Sequence, residues 1–378
     1  MRTYILISIL ILLQYHAEAQ NDSAAVDSVL LKQIIDQQLN SNQAPVAGTT
    51  VRTGISSNPN ISVIGDFRAH YISSESRKLN FNMEETEFSF QSVIDPYAKA
   101  DFFYSVARNS ETGEFTGEIE EGYLTTLSLP AHLQLKAGRF KNMLGRINPV
   151  HGHALPFISM PDAYVNYFGD EGLKDDGLSL SWLIPNNKFY QELTFELTDG
   201  PHENPSFVHS SKTDLLKLAH LKNFWDLNQN TTLELGITGI SGENDSAFTT
   251  NILAGDLTYK WKPLQMNTYK SFTWQSEFYY SNAKTNELNT INSFGFYSLI
   301  IYQVAKRWFV TARYDYSNLP FDNDYKQQSE SVTAGWYATE FQKIEIEGKT
   351  TSINSAERNY QVLLRWIFVI GSHGAHQY

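Results

Sequence analysis

Two short histidine pairs, His151-Gly-His153 and His373-Gly-Ala-His376, are the side chains of this sequence best suited to ligand chemistry. Neutral imidazoles coordinate zinc, copper or nickel. Either pair alone falls short of the four ligands of a structural zinc site. The layout of strands along the chain puts the two pairs on opposite sides, which argues against one four-histidine site. A divalent metal at either pair, His151 with His153 or His373 with His376, is one reading, and polar turn histidines with no cofactor is the plainer one. The stretch around the first pair, Lys141–Asp176, carries bases early and acids late. If it folds across a water-filled passage, Arg139, Lys141 and Arg146 oppose Asp170, Glu171, Asp175 and Asp176. Such opposed charges set up a transverse field, as charged rings do where pores select ions. The same stretch contains Leu144, Ile147, Leu155, Phe157, Ile158, Met160 and Phe168, which need somewhere to pack. Asp322-Asn323-Asp324 lacks the rest of a calcium loop and reads as a turn. There is no Gly-x-Ser-x-Gly, no His-Glu-x-x-His and no phosphate-binding glycine loop, so the sequence does not point to an enzyme.

The elements that must position these residues begin after an N-terminal address. Arg2, an apolar run from Tyr4 to Leu13 and the tail Ala17-Glu18-Ala19 have the layout of a secretion signal covering residues 1–19 and cut before Gln20. That apolar run is too short for the roughly 20 residues a helix needs to cross a bilayer, and no later run supplies them. Any membrane span must be β. No cysteine occurs, so neither a lipid anchor nor a disulfide staple is available. A net charge of −12 argues against a nucleic-acid surface. Residues 20–58 are polar, with one short amphipathic stretch (Val26, Val29, Leu30, Ile34) that suits a brief helix in a periplasmic segment.

From residue 59 to 378 the dominant pattern is alternation over about ten residues, the signature of a membrane-spanning strand. Ala98, Ala100, Phe102, Tyr104 and Val106 share one parity, and Lys99, Asp101 and Ser105 the other. The same split recurs in Leu178/Leu180/Trp182, Trp274/Phe278/Tyr280 and Val362/Leu364/Trp366. About sixteen such strands (14–18) follow, starting near Ile61, Glu85, Tyr97, Glu118, Leu133, Leu178, Phe189, Leu215, Leu233, Ile252, Phe272, Phe294, Trp308, Val332, Ile344 and Tyr360. Tight links at Asp95-Pro96, Pro130-Ala131 and Pro185-Asn186-Asn187 alternate with longer ones, including Asn318–Ser329 and, longest, Lys141–Asp176. Short turns on one side and long loops on the other fit a closed antiparallel transmembrane β-barrel, because an open edge in lipid leaves backbone groups unpaired. The opposite parity, including Glu120, Lys217, Glu277, Arg307, Arg313, Glu347 and Arg365, is expected to face the lumen.

Several stretches resemble a family of Gram-negative outer-membrane proteins with a porin-like barrel: Asn58-Pro-Asn-Ile-Ser-Val-Ile-Gly-Asp66, Asp95-Pro-Tyr-Ala-Lys-Ala-Asp101, Glu120-Glu-Gly-Tyr-Leu124, Leu135-Lys-Ala-Gly-Arg139 and His151-Gly-His-Ala-Leu-Pro156. Phe294-Gly-Phe-Tyr297, Arg307-Trp-Phe309, Ala312-Arg-Tyr-Asp315 and the ending His373-Gly-Ala-His376 extend the likeness over nearly the whole mature chain. The family sits beside phosphate-selective porins, and some members are labelled zinc-regulated TonB-dependent receptors. A receptor of that type needs a plug domain of well over a hundred residues and a barrel of about 22 strands, more than this chain provides. The resemblance implies an outer-membrane porin-like channel for small polar solutes or ions. Its alternative is a plugged or ligand-binding barrel linked to divalent metal uptake. Outer-membrane lipid, lipopolysaccharide, the barrel assembly machinery and a homotrimer are the partners it implies, and Tyr378 is similar to the aromatic C-terminus that such machinery uses.

Overall fold

The computed structural model describes residues 59–73, 79–109, 112–186, 188–209 and 215–371. The signal peptide, the segment 20–58 with its short helix, and His373, His376 and Tyr378 lie outside the described residues.

Sixteen strands follow one another. The first four are β1 (Asn60–Ile72), β2 (Leu79–Asp95), β3 (Ala98–Arg108) and β4 (Phe115–Thr126). Next come β5 (Leu133–Lys141), β6 (Lys174–Leu183), β7 (Tyr190–Thr198) and β8 (Leu216–Asn228). The third quarter is β9 (Thr231–Glu243), β10 (Thr249–Trp261), β11 (Ser271–Lys284) and β12 (Thr290–Ala305). The last is β13 (Trp308–Leu319), β14 (Asp322–Thr339), β15 (Gln342–Ile353) and β16 (Asn359–Gly371). Each pairs antiparallel with its chain neighbours, and β1 pairs with β16 from Ser62↔Gly371 to Ile72↔Gln361, closing the sheet. Closure satisfies every edge, which is what lets a sheet sit in lipid.

The alternation predicts which side chains face out. Phe102, Tyr104, Leu178, Trp182, Trp274, Phe278, Tyr314 and Trp366 are exposed on the outer surface, while Asp101, Ser105, Glu277, Arg313, Asp315 and Arg365 are buried inside. Two lumen assignments need correction. Lys217 points outward, because its neighbours Leu216 and Leu218 are buried inside. Arg307 lies in the turn between β12 and β13 and donates to the Ala338 carbonyl at 2.9 Å. The long link expected at Asn318–Ser329 is also shorter than its sequence suggests, since β13 runs to Leu319 and β14 starts at Asp322. The sequence Asp-Asn-Asp-Tyr-Lys-Gln-Gln there has no apolar parity. A strand end wetted on both faces carries none, so pairing alone defines it.

Candidate functional site

The connection between β5 and β6, residues 142–173, folds into the barrel. It contains one short helix, α1 (Asp162–Phe168), which packs against β12, β13 and β14.

Its apolar side chains find their partners on one half of the wall. Leu144, Ile147, Leu155, Phe157, Tyr164, Tyr167, Phe168 and Leu173 form a buried cluster with Leu216 and Leu218 of β8, Ile240 of β9, Ile252 and Ala254 of β10, Tyr279 of β11, and Tyr297 and Leu299 of β12. Phe168 meets Tyr279 edge-on at 5.2 Å between ring centroids, a favoured aromatic geometry. Each fully buried side chain of this kind contributes roughly 1.5–3 kcal/mol relative to exposure. This cluster reverses the parity of β8, since a wall strand facing an apolar loop must itself be apolar inside. Glu277 stands within the cluster and is fully used. Its Oε1 accepts the backbone N–H groups of Arg146 (2.9 Å) and Ile147 (3.0 Å) and the Tyr297 hydroxyl (2.7 Å), and its Oε2 accepts the Tyr279 hydroxyl (2.7 Å). Gly145, at φ +57°, presses against that carboxylate, and a Cβ there would collide with it.

The other half of the wall holds the loop with charge. Arg365 of β16 pairs with Glu345 of β15 and donates to the carbonyls of Gly152 (3.0 Å) and Leu155 (2.9 Å). Lys343 donates to the carbonyls of His153 (3.1 Å) and Leu155 (3.0 Å). Glu347 accepts the Ile158 N–H at 2.8 Å and the Ser159 hydroxyl. Arg313 pairs with Asp315 and donates to the Ser159 carbonyl at 2.7 Å. At the start of α1, Asp162 is bound by Lys349 at 2.5 Å and by the Ser329 hydroxyl. Burial pushes the Asp162 carboxyl up, but Lys349 and the hydrogen bonds outweigh it and hold it below the usual range.

His151 and His153 reach the wall at β2 and β4. His151 Nδ1 lies 2.8 Å from Glu87 Oε2 and 3.4 Å from Glu120 Oε2, while its Nε2 lies 2.8 Å from Glu121 Oε1. His153 Nδ1 is 3.6 Å from the same Glu87 oxygen. Burial opposes a charged His151, yet its hydrogen bonds to Glu120, Glu121 and Glu87 raise its pKa well above the ordinary value. Two β-bulges build this cluster. The β1–β2 register passes from Asp66↔Glu85 to Phe67↔Met83, so Glu84 is the extra residue. The β3–β4 register passes from Phe103↔Glu121 to Tyr104↔Ile119, so Glu120 is the extra residue and consecutive Glu120 and Glu121 are both buried. Bulges re-aim side chains in this way next to functional sites.

Of the seven charges expected to face one another across the lumen, Arg139 and Asp176 are brought together, though on the outer side of adjacent strands, and the other five are not paired with one another. Arg139 and Asp176 are cross-strand partners 3.4 Å apart, on the outward parity opposite buried Phe140 and Asp175. Lys141 pairs with Glu120 at 3.1 Å, and Arg146 with Glu234 at 3.6 Å. Glu171, largely exposed, pairs with Lys174 at 2.5 Å. Asp175 accepts the Gly200 N–H. Burial, with Glu171 nearby, raises the Asp170 carboxyl. Arg139 and Lys174 thus take acids of this region, Asp176 and Glu171, while Lys141 and Arg146 take acids of the wall strands β4 and β9. Sequence reading passed over Glu85, Glu87 and Glu121. The available signal was the density of acids in Glu84-Glu-Thr-Glu87 and Glu118-Ile-Glu-Glu121, unmatched by bases in the same runs.

No family model matches the chain. It is 26% identical over 343 residues to an uncharacterized protein of Aquifex aeolicus, covering 80% of this chain and 71% of that one. Among solved structures it is similar to the outer membrane channel DcaP of Acinetobacter baumannii, with a TM-score of 0.58 at 10% identity, over 86% of this chain and all of that one. It is also similar to an anion-selective porin from Comamonas acidovorans, with a TM-score of 0.57 at 9% identity, over 83% of this chain and 99% of that one. What is shared at such identities is the fold: a closed barrel of the outer-membrane porin type.

Proposed function

We propose that this chain is a porin-like channel of a Gram-negative outer membrane, passing small polar solutes or ions by diffusion past the inward loop 142–173. The observation that carries this reading is the loop itself, anchored across the interior of a sixteen-stranded closed barrel on β2, β4, β11 and β13–β16. A barrel of that size leaves an aqueous lumen unless something narrows it. The aperture in this proposal runs beside Arg146, Glu234 and Lys222. There Glu234 is shared between Arg146 (3.6 Å) and Lys222 (3.1 Å), and all three side chains stay partly exposed. Lys136 of β5 and Glu192 of β7, also half-buried, keep the sign mixed, so discrimination between anions and cations is modest.

Single-channel recording in planar bilayers tests this. The purified chain is expected to give small discrete conductance steps, and replacing residues 144–171 by a short Gly-Ser linker to enlarge them several-fold. Silence from both proteins, once each is shown to be inserted, would refute the channel.

A further inference from the structure

We infer that His151 and His153 of the inward loop, with Glu87 of β2 and Glu120 of β4, hold one divalent transition-metal ion of the zinc class that clamps the loop to the barrel wall. One donor atom from each of Glu87, His151 and His153 lies within 4.8 Å of the others, and the same holds for Glu85, Glu87 and Glu120, so Glu87 joins two constellations at one place. Ligand atoms on a tetrahedral zinc ion, with bonds of about 2.0–2.1 Å, stand about 3.3 Å apart. The separations of 3.4 Å (His151 to Glu120) and 3.6 Å (His153 to Glu87) already match that spacing, and the 2.8 Å one (His151 to Glu87) must open only slightly.

Independent observations point the same way. Glu87 is 1% exposed, yet its Oε1 has no hydrogen-bond partner. A buried carboxylate oxygen left unsatisfied is costly, and an ion that takes both Glu87 oxygens, Oε2 beside the two histidines and Oε1 with it, removes the cost. Glu120 is tied by Lys141 through Oε1 (3.1 Å), which leaves Oε2 turned toward His151. The imidazole is oriented as a ligand would be. Nδ1 faces Glu87 and Glu120, while Nε2 is engaged by Glu121 at 2.8 Å. A histidine that gives one nitrogen to a metal and the other to a carboxylate is the usual outer arrangement of such sites. Charge agrees as well. Glu85, Glu87, Glu120 and Glu121 converge here around Lys141 and His151, and a divalent ion replaces the imidazole's proton and offsets the remaining surplus. Two imidazoles with carboxylates favour zinc, cobalt, nickel or iron(II) over calcium or magnesium, which prefer oxygen alone.

The consequence is a cross-link. The ligands come from the loop and from two wall strands, so the ion ties the His151–His153 turn to β2 and β4, whether or not the channel conducts. The test uses the full chain purified in detergent and stripped with a chelator. Titration with zinc chloride in a calorimeter is expected to show one ion per chain at micromolar affinity or tighter. Glu121→Gln should weaken it roughly 10–100-fold with the same stoichiometry, and His151→Ala with His153→Ala should abolish saturation. Glu171→Gln, an exposed acid of the same loop paired with Lys174, should change nothing. Each variant is checked for folding by its heat-modifiable gel mobility. Cobalt(II) added to the unmutated chain reads the site without any substitution, and an intense tetrahedral visible band with nitrogen ligands is expected. Absence of saturable zinc binding, affinity untouched by the double histidine variant, or a weak all-oxygen cobalt spectrum would each overturn the inference.

Discussion

The inward loop meets the two halves of the barrel by opposite means. Toward β8–β12 it presents Leu144, Tyr167 and Phe168 to Leu218, Ile252 and Leu299, a seam as apolar as a globular core. Toward β13–β16, and toward β2 and β4, it offers carbonyls, N–H groups and imidazoles to Arg313, Lys343, Glu347, Arg365 and a group of glutamates. The apolar seam gains chiefly from burial, with Glu277 hydrogen-bonded to the loop inside it, and tolerates small shifts. The polar seam gains little net from each pair but is intolerant of half-made ones, because an orphaned charge in a buried place is expensive. One side secures the loop, and the other sets its register.

The comparison can be broken hardest on the polar side. Arg365→Met leaves buried Glu345 short of its main partner and takes one donor each from the Gly152 and Leu155 carbonyls, which keep the Leu155 N–H and Lys343 respectively, and should loosen the loop by about 3–5 kcal/mol. Limited proteolysis of the loop in detergent measures this. Arg365→Met combined with Glu345→Met should recover a large part of the loss, since replacing both partners removes the orphan. Equal losses in the single and double variants would show that the seam depends on the carbonyl contacts instead. On the apolar side, Leu299→Ala should cost about 2–5 kcal/mol, with no such rescue by a second truncation. Leu299→Ala paired with Leu218→Ala is therefore expected to be at least additive, read by the same protection assay.

The smallest effect sharpens the boundary between the seams. The Asp162 carboxyl is held below its ordinary value by Lys349, so its contribution is complete above the ordinary carboxyl pKa of about 3.9 and is lost as pH falls through the lower folded value. Acidifying below that range should raise loop proteolysis, measured with an acid-active protease. Asp162→Asn should show no such pH dependence and a uniformly looser loop. An unchanged acid response in Asp162→Asn would assign the sensitivity to another carboxyl.

The outer wall was legible in the sequence because lipid is a uniform solvent. Trp182, Trp274 and Trp366 answer to the same surroundings, and their spacing of two carries the whole signal. The inner wall was only partly so. Lys217 reads as a lumen residue by charge, yet Leu216 and Leu218 turn inward because an apolar loop lies there. Glu121 reads as lipid-facing by alternation after Glu120, yet one bulge brings both inside. Arg139 and Asp176, read as opposed charges in a passage, are neighbours on the outer side of adjacent strands.

The sequence by itself determined a barrel of about sixteen strands, their antiparallel order and the outward face, since each follows from local alternation and from turns that are tight or long. Tertiary structure alone decided what the interior is: which half is apolar, where His151 and His153 land, and which glutamates surround them. Those outcomes depend on a loop meeting strands that lie far from it in the chain, and on bulges that shift parity by one residue. No local pattern encodes either.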